Sequence, residues 1–273
     1  MSHIKVGVLG YPVKHSKSPL IHQHWINQYN KDGSYHLFEV HYKKFDLFDN
    51  QMKEENWNGF NVTVPYKQKI MNYCDEISDV ALQIGAVNSV TIKNNKLYGT
   101  NTDAFGFIQN IKEEVPTFNF QKSTVMLMGA GGATRAAIYG LIQENVSKII
   151  ISNRTKEKAE QIQKINPERI EIVNWEEKED YLPKVSLLVN TTSLGMQGQD
   201  KLLISIDNLP NHAIVHDIVY APLMTDLLLK AQKRNLCIIT GIGMLLHQAR
   251  PSFESWFGIY PDVTDDLKQK VLR

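Results

Sequence analysis

Two groups in this sequence are suited to moving a proton: the amine of Lys67 and the carboxylate of Asp103. Lys67 closes Asn61-Val62-Thr63-Val64-Pro65-Tyr66-Lys67, and Asp103 closes Gly99-Thr100-Asn101-Thr102-Asp103. Interconverting an alcohol and a ketone moves a hydride at carbon and a proton at oxygen. A lysine can handle that proton when burial or nearby positive charge lowers its pKa, and an aspartate beside it can orient it or share the proton. Either residue alone reads as a surface charge, and only the fold can bring them together. Strand alternation puts Asn61 and Thr63 on one polar face and predicts Val62 and Val64 toward the core. His15-Ser16-Lys17-Ser18-Pro19 sets two hydroxyls ahead of a helix, suited to capping it or to holding a carboxylate. A further polar segment is Gly85-Ala86-Val87-Asn88-Ser89.

A second kind of chemistry is written at Gly129-Ala130-Gly131-Gly132-Ala133, between an apolar run and a helical pattern. Phosphate needs backbone N–H donors with no side chain in the way, and a helix N-terminus supplies them. Gly129 allows the tight turn and Gly131 a close approach of the backbone to a pyrophosphate. Thr134 stands where the third glycine of the dinucleotide fingerprint belongs, while Ala133, Ala136 and Ala137 are small enough for close helix–strand packing. The strand before the motif and the helix after it support a dinucleotide site. At the end of the next strand an NAD enzyme carries Asp or Glu for the ribose 2′-hydroxyl. This chain has Asn153-Arg154-Thr155-Lys156, and a guanidinium pairs with a 2′-phosphate, so NADP is expected.

The elements that must position these groups alternate between strand and helix. Strands are predicted at 4–9, 35–40 and 59–64, with helices from Pro19 and over 45–52. After a helix at 104–114 and a polar stretch the pattern restarts. Strands follow at 124–128, 148–152, 170–173, 186–190, 213–218 and 236–240, with helices to about 145 and 165. Such alternation predicts mainly parallel sheets and an α/β protein. The net charge of +1 offers no field for nucleic acid or an anionic membrane, so a small anionic substrate must be captured by local groups. No apolar run is long enough to span a bilayer or to serve as a signal peptide, and a cytoplasmic protein is expected. The two cysteines, Cys74 and Cys237, lack CxxC spacing and are expected to be buried free thiols. His22 and His24 point to different helix faces and no Cys or acidic partner has ligand spacing, so no metal is expected.

Taken together, these segments resemble the shikimate dehydrogenase family over nearly the whole chain and in the family's order. The shared elements are Ser16 to Pro19, Asn61 to Lys67, Gly85 to Asn88, Asn101 to Asp103, Gly129 to Ala133 and Asn153 to Thr155. They continue with Asn190 to Met196, Asp217 to Pro222 and Gly241 to Ala249. A departure is Gln23, where the family commonly has Asn. The resemblance implies an N-terminal α/β substrate domain (1–103), a Rossmann NADP-binding domain (104–238) with a cleft between them, and a C-terminal helical segment (239–273) returning to the first. It implies NADPH-dependent, reversible reduction of 3-dehydroshikimate to shikimate in aromatic amino-acid biosynthesis. By the same resemblance Lys67 and Asp103 are the catalytic pair. Ser16, Ser18 and Tyr220 hold the carboxylate, and Asn61, Thr63, Asn88 and Gln248 meet the ring hydroxyls or neighbouring groups. Thr191 joins the glycine loop and Asn153 to Lys156 at the cofactor, and Ile218, Gly241 and Met244 border the nicotinamide. A quinate/shikimate dehydrogenase with relaxed cofactor use and a non-catalytic metabolite-binding relative remain alternatives. The sequence leaves the oligomeric state open, a homodimer included.

Overall fold

A computed structural model describes residues 3–45, 48, 52 and 55–273. The chain divides into two compact units, one of Met1–Asp103 with Leu246–Arg273 and one of Ala104–Leu245. Both crossings fall inside helices, and the second comes after Leu245 rather than at the expected 238/239.

In the first unit β1 (Ile4–Gly10) leads through helix α1 (Ser18–Gln28) to β2 (Gly33–Glu39), and β3 (Gly59–Val62) follows. Short β4 (Glu76–Ile77) and α2 (Asp79–Ile84) precede β5 (Ser89–Lys93) and β6 (Lys96–Thr100). The sheet order is β2-β1-β3-β5-β6-β4. β1 pairs in parallel with β2 and β3, whereas β5 is antiparallel to both β3 and β6. The sheet is therefore mixed, where the alternation predicted parallel pairing. The cause is the two-residue connection Asn94-Asn95, both at positive φ (51° and 59°), a hairpin turn that only antiparallel strands can use. The expected helix over 45–52 lies largely outside the described residues; of it Phe45, Phe48 and Met52 are described, and all three are buried. Val62 is buried as expected but Val64 is 69 % exposed, because β3 ends at Val62 and the alternation ends with it.

The second unit opens in helix α3 (Asp103–Glu114). Then β7 (Thr124–Met128), α4 (Gly132–Gln143), β8 (Lys148–Ser152), α5 (Lys156–Gln163), β9 (Ile170–Val173) and β10 (Leu187–Asn190) alternate. β11 (Ile214–Asp217), α6 (Asp226–Lys233), β12 (Cys237–Ile239) and α7 (Gly241–Phe257) follow, and α8 (Asp265–Leu272) ends the chain in the first unit. The sheet is wholly parallel in the order β12-β11-β10-β7-β8-β9. It is the doubly wound arrangement that reverses between its first and fourth strands. Both faces are covered, so the strands need apolar residues throughout. On β7, Val125 and Leu127 enter one core cluster, Met126 and Met128 the other. Gly140 lets α4 approach α3, since a Cβ there would lie 2.7 Å from Ile108 Cγ1 and 3.2 Å from the Ala104 carbonyl oxygen. Both cysteines are free, but Cys237 is exposed and Cys74 half-buried, contrary to the expected burial.

Candidate active site and dinucleotide cavity

Open α/β sheets bind ligands beyond the carboxyl ends of strands where the strand order reverses. In the first unit that point lies between β1 and β3, whose register pairs Leu9 with Val62. The chain leaving β1 carries Ser16 and Ser18, and the chain leaving β3 carries Thr63 and Lys67. The β5–β6 hairpin completes this edge, because the register Asn61↔Ser89↔Thr100 sets Asn88, just before β5, beside the 101–103 segment after β6.

Lys67 Nζ donates to Asp103 Oδ2 at 2.5 Å, with the lysine side chain 29 % and the aspartate 12 % exposed. Asn88 Nδ2 donates to the other oxygen, Asp103 Oδ1, at 2.8 Å, and its Oδ1 accepts from the Thr102 amide at 2.8 Å. Asn101 Oδ1 accepts from the Asp103 amide at 2.9 Å while its own amide donates to the Ala86 carbonyl at 3.0 Å. The Lys67 carbonyl accepts from Val87 N at 2.8 Å, so the loops at 67, 86–88 and 101–103 are tied together by main chain as well. Gln248 Oε1 lies 3.4 Å from Asn88 Nδ2 and 3.5 Å from Thr102 Oγ1.

Gln248, Ser252 and Trp256 recur every fourth residue of α7 and share one helix face. Down the start of β5 they meet Asn88, then Ser89 through Ser252 Oγ (2.8 Å), then the Val90 carbonyl through the Trp256 indole N–H (3.1 Å). Asn61 is 5 % exposed and its amide is engaged by Tyr35 OH (2.7 Å), Ser252 Oγ (3.1 Å) and the Asn88 carbonyl (3.3 Å). Ser16 Oγ accepts from the Ser18 amide at 3.2 Å. The helix N-cap is Lys17, whose side chain makes no capping bond, and it is Ser16, one residue earlier, that satisfies the first amide of α1. Thr63 is half-buried, with its methyl group 2.5 Å from where a Cβ on Gly10 would sit.

In the second unit the corresponding reversal lies between β7 and β10. Gly129 follows β7 at φ 119°, and a Cβ there would approach Thr192 Cγ2 at 2.8 Å and Thr191 Oγ1 at 3.1 Å. Thr134, in the place of the third glycine, is buried; its hydroxyl accepts from the Gly131 amide at 3.1 Å and pairs with Thr191 Oγ1 at 2.8 Å. A cavity of about 320 Å³ opens here, lined by Gly129, Ala130 and Gly131, by Asn153, Arg154 and Thr155, and by Thr191. Gly132 starts α4 and Ala133 follows it. A Cβ on Gly131 or Gly132 would meet nothing within 4 Å, so side chains there would only occupy free space. Arg154 and Lys158 bring positive charge to the cavity, and no carboxylate is among its lining residues. A bare-backbone helix start with two cations beyond it fits a dinucleotide that carries an extra phosphate.

Lys156 does not line the cavity and Lys158 does. With Thr155, itself a lining residue, as the helix N-cap, position 158 lies three residues on and returns to the same side, its amide donating to the Thr155 carbonyl at 3.3 Å, whereas 156 points about 100° away. Trp175, Thr192, Ser193 and Leu194 also line it; the last three fall within the shared element Asn190 to Met196, and Trp175 falls in none of the segments singled out from the sequence. Ile218 and Gly241 meet closely, a Cβ on Gly241 falling 2.2 Å from the Ile218 carbonyl oxygen. Ile218, Met244 and Ala130 pack against the same core cluster. Tyr220 is half-buried, and burial pushes its phenol above the ordinary value.

The family model for the shikimate dehydrogenase substrate binding domain matches residues 8–90, that for shikimate / quinate 5-dehydrogenase 110–212, and that for the shikimate 5'-dehydrogenase C-terminal domain 241–270. A shikimate dehydrogenase (NADP+) of Paramagnetospirillum magneticum is 40 % identical over 267 residues, covering 97 % of both chains. The chain belongs to the shikimate dehydrogenase family. Among solved structures, shikimate dehydrogenase from Aquifex aeolicus is similar with a TM-score of 0.90 at 35 % identity, covering 99 % of this chain and 98 % of that one. Quinate dehydrogenase from Corynebacterium glutamicum in complex with NAD is similar with a TM-score of 0.92 at 27 % identity over 99 % of each. Shikimate dehydrogenase sequences and folds thus span the full length of this chain, both units included.

Proposed function

We propose that this chain is an NADP-dependent shikimate dehydrogenase that interconverts 3-dehydroshikimate and shikimate. The observation that carries the reading is the Lys67–Asp103 pair, held at the switch point of its sheet with both carboxylate oxygens engaged. NADPH, when bound, supplies the hydride. This chain's own residues supply the proton and the orientation. During reduction Lys67 gives a proton to the oxygen that becomes the hydroxyl, and Asp103 holds the ammonium at that place; in the reverse direction the pair takes the proton back. Asn88 fixes the Asp103 carboxylate, and with Thr63 and Gln248 it offers polar groups to the ring hydroxyls. Ser16 and Ser18 take the substrate carboxylate. We read Asn61 as a positioning residue, because its amide is already spent on Tyr35, Ser252 and Asn88.

The quinate dehydrogenase with NAD makes relaxed specificity the nearest rival reading. The cationic cavity favours NADP, since a site with Arg154 and Lys158 and no carboxylate lacks the usual acceptor for a ribose 2′-hydroxyl. The test is the absorbance change at the NADPH band on mixing the protein with shikimate and NADP, then with quinate, then with NAD. Rapid NADPH formation from shikimate is expected, with NAD and quinate far poorer. No change with shikimate under either cofactor would leave only a metabolite-binding role.

A further inference from the structure

We propose that Trp175 is a cofactor-binding residue, its indole forming the wall against which the adenine of the dinucleotide packs. This rests on the dinucleotide reading of the cavity and deepens it. In NADP the 2′-phosphate and the adenine are attached to one ribose, so the groups that hold the phosphate fix where the base falls. Arg154 and Lys158 are the cations of the cavity, and Trp175 is the aromatic residue among those that line it. The topology brings them together. Asn153 to Thr155 follow β8, Trp175 lies two residues after β9, and these strands are parallel neighbours whose register pairs Ser152 with Val173. Their carboxyl ends open on the same edge.

The indole is held before any ligand arrives. Lys178 is 8 % exposed, and its ammonium donates to the Trp175 carbonyl at 3.0 Å and lies 4.9 Å from the indole ring centroid. Trp175 also packs against the core cluster that contains Met126, Ile150 and Val173. A rigid apolar plane contributes more to binding a base than a mobile side chain, because little conformational freedom is lost on contact.

The probe is adenosine 2′,5′-bisphosphate, which has the adenine and the 2′-phosphate but no nicotinamide. Binding is measured by calorimetry for it and for NADP, and by tryptophan fluorescence. Trp175 is the one tryptophan of the second unit, the others being Trp25, Trp57 and Trp256. Trp175→Leu is expected to weaken both ligands about tenfold, and Trp175→Phe to restore most of the affinity while abolishing the ligand-induced fluorescence change. Equal binding of the bisphosphate by Trp175→Leu and wild type would overturn the proposal. So would a fluorescence change that persists in Trp175→Phe, which decides the matter even where the leucine variant fails to fold. Wild type that binds no NADP would sink the dinucleotide reading itself. Wild type that binds NADP, with Trp175→Leu binding it equally well, would sink the role of Trp175 alone.

Discussion

Asp103 presents its two carboxylate oxygens to different partners, Lys67 on one and Asn88 on the other. An amine held by a single carboxylate can swing. Here the carboxylate is itself clamped by an amide, and that amide is clamped by the main chain of Thr102, so the position of the lysine is set at two removes. Removing the amine therefore leaves the scaffold standing and takes away the proton donor. Lys67→Ala is expected to lower kcat by a factor on the order of 10²–10⁴ while changing the KM for shikimate far less, as steady-state kinetics in both directions would show. Turnover close to wild type would take Lys67 out of the chemistry. At this scale the sequence was informative about residue type and poor about direction. Lys67, Asn88 and Asp103 stand in polar segments at element ends, where a reader looks for chemistry. That the Asn61 amide is consumed internally depends on Tyr35 and Ser252, positions far along the chain, and that Lys158 borders the cavity where Lys156 does not is a matter of helical phase.

The element that brings Asn88 and Asp103 together is the β5–β6 hairpin, and its turn is the most economical place to perturb that edge without touching it. Asn94 and Asn95 are exposed and both adopt left-handed backbone conformations, which Asn tolerates and Ala does not. Replacing both by Ala is expected to cost about 2 kcal/mol of stability, and Asn95→Gly to raise stability slightly, as read from denaturant midpoints. A double-Ala variant as stable as wild type would mean that the turn does not hold these strands. The hairpin also shows why the two halves differed in legibility. The interiors of β7, β8 and β10 are buried on both faces and read as apolar runs, and a glycine loop closes β7. β5 and β6 carry Thr91, Lys93, Lys96 and Tyr98 on partly exposed faces, so their hydrophobic signal is diluted. The Asn-Asn pair was the available sign of a reversal. The role of α7 in the first unit was invisible to local pattern, since Gln248, Ser252 and Trp256 find their partners more than a hundred residues earlier in the chain.

Across the whole molecule each unit holds a fully buried imidazole, His22 in the first and His216 in the second, that the proposed chemistry does not use. His22 stacks on Tyr35 with centroids 4.4 Å apart and has neither ring nitrogen bonded within the described residues. His216 stacks on Phe107 at 5.3 Å, with Nε2 accepting from Asn110 at 3.2 Å and Nδ1 without a partner among the described residues. Burial lowers the pKa of each from 6.5 to about 3. The unfolded chain therefore takes up these protons below pH 6.5 while the folded chain refuses them until about pH 3, and folding stability falls with pH through that window. At pH 5 the loss is about 2 kcal/mol per histidine. Asp217, whose carboxyl is pushed up by burial, acts in the opposite sense and offsets part of it. Because His22 lies in one unit and His216 in the other, acidification should weaken both. Denaturant unfolding at pH 7 and pH 5, followed by the fluorescence of Trp25, Trp57 and Trp256 for the first unit and of Trp175 for the second, should show both transitions moving to lower denaturant. His22→Phe should reduce the shift of the first transition alone. A shift of equal size in that variant would mean that the acid sensitivity arises at other groups, since a phenyl ring in the same stack has no proton to gain.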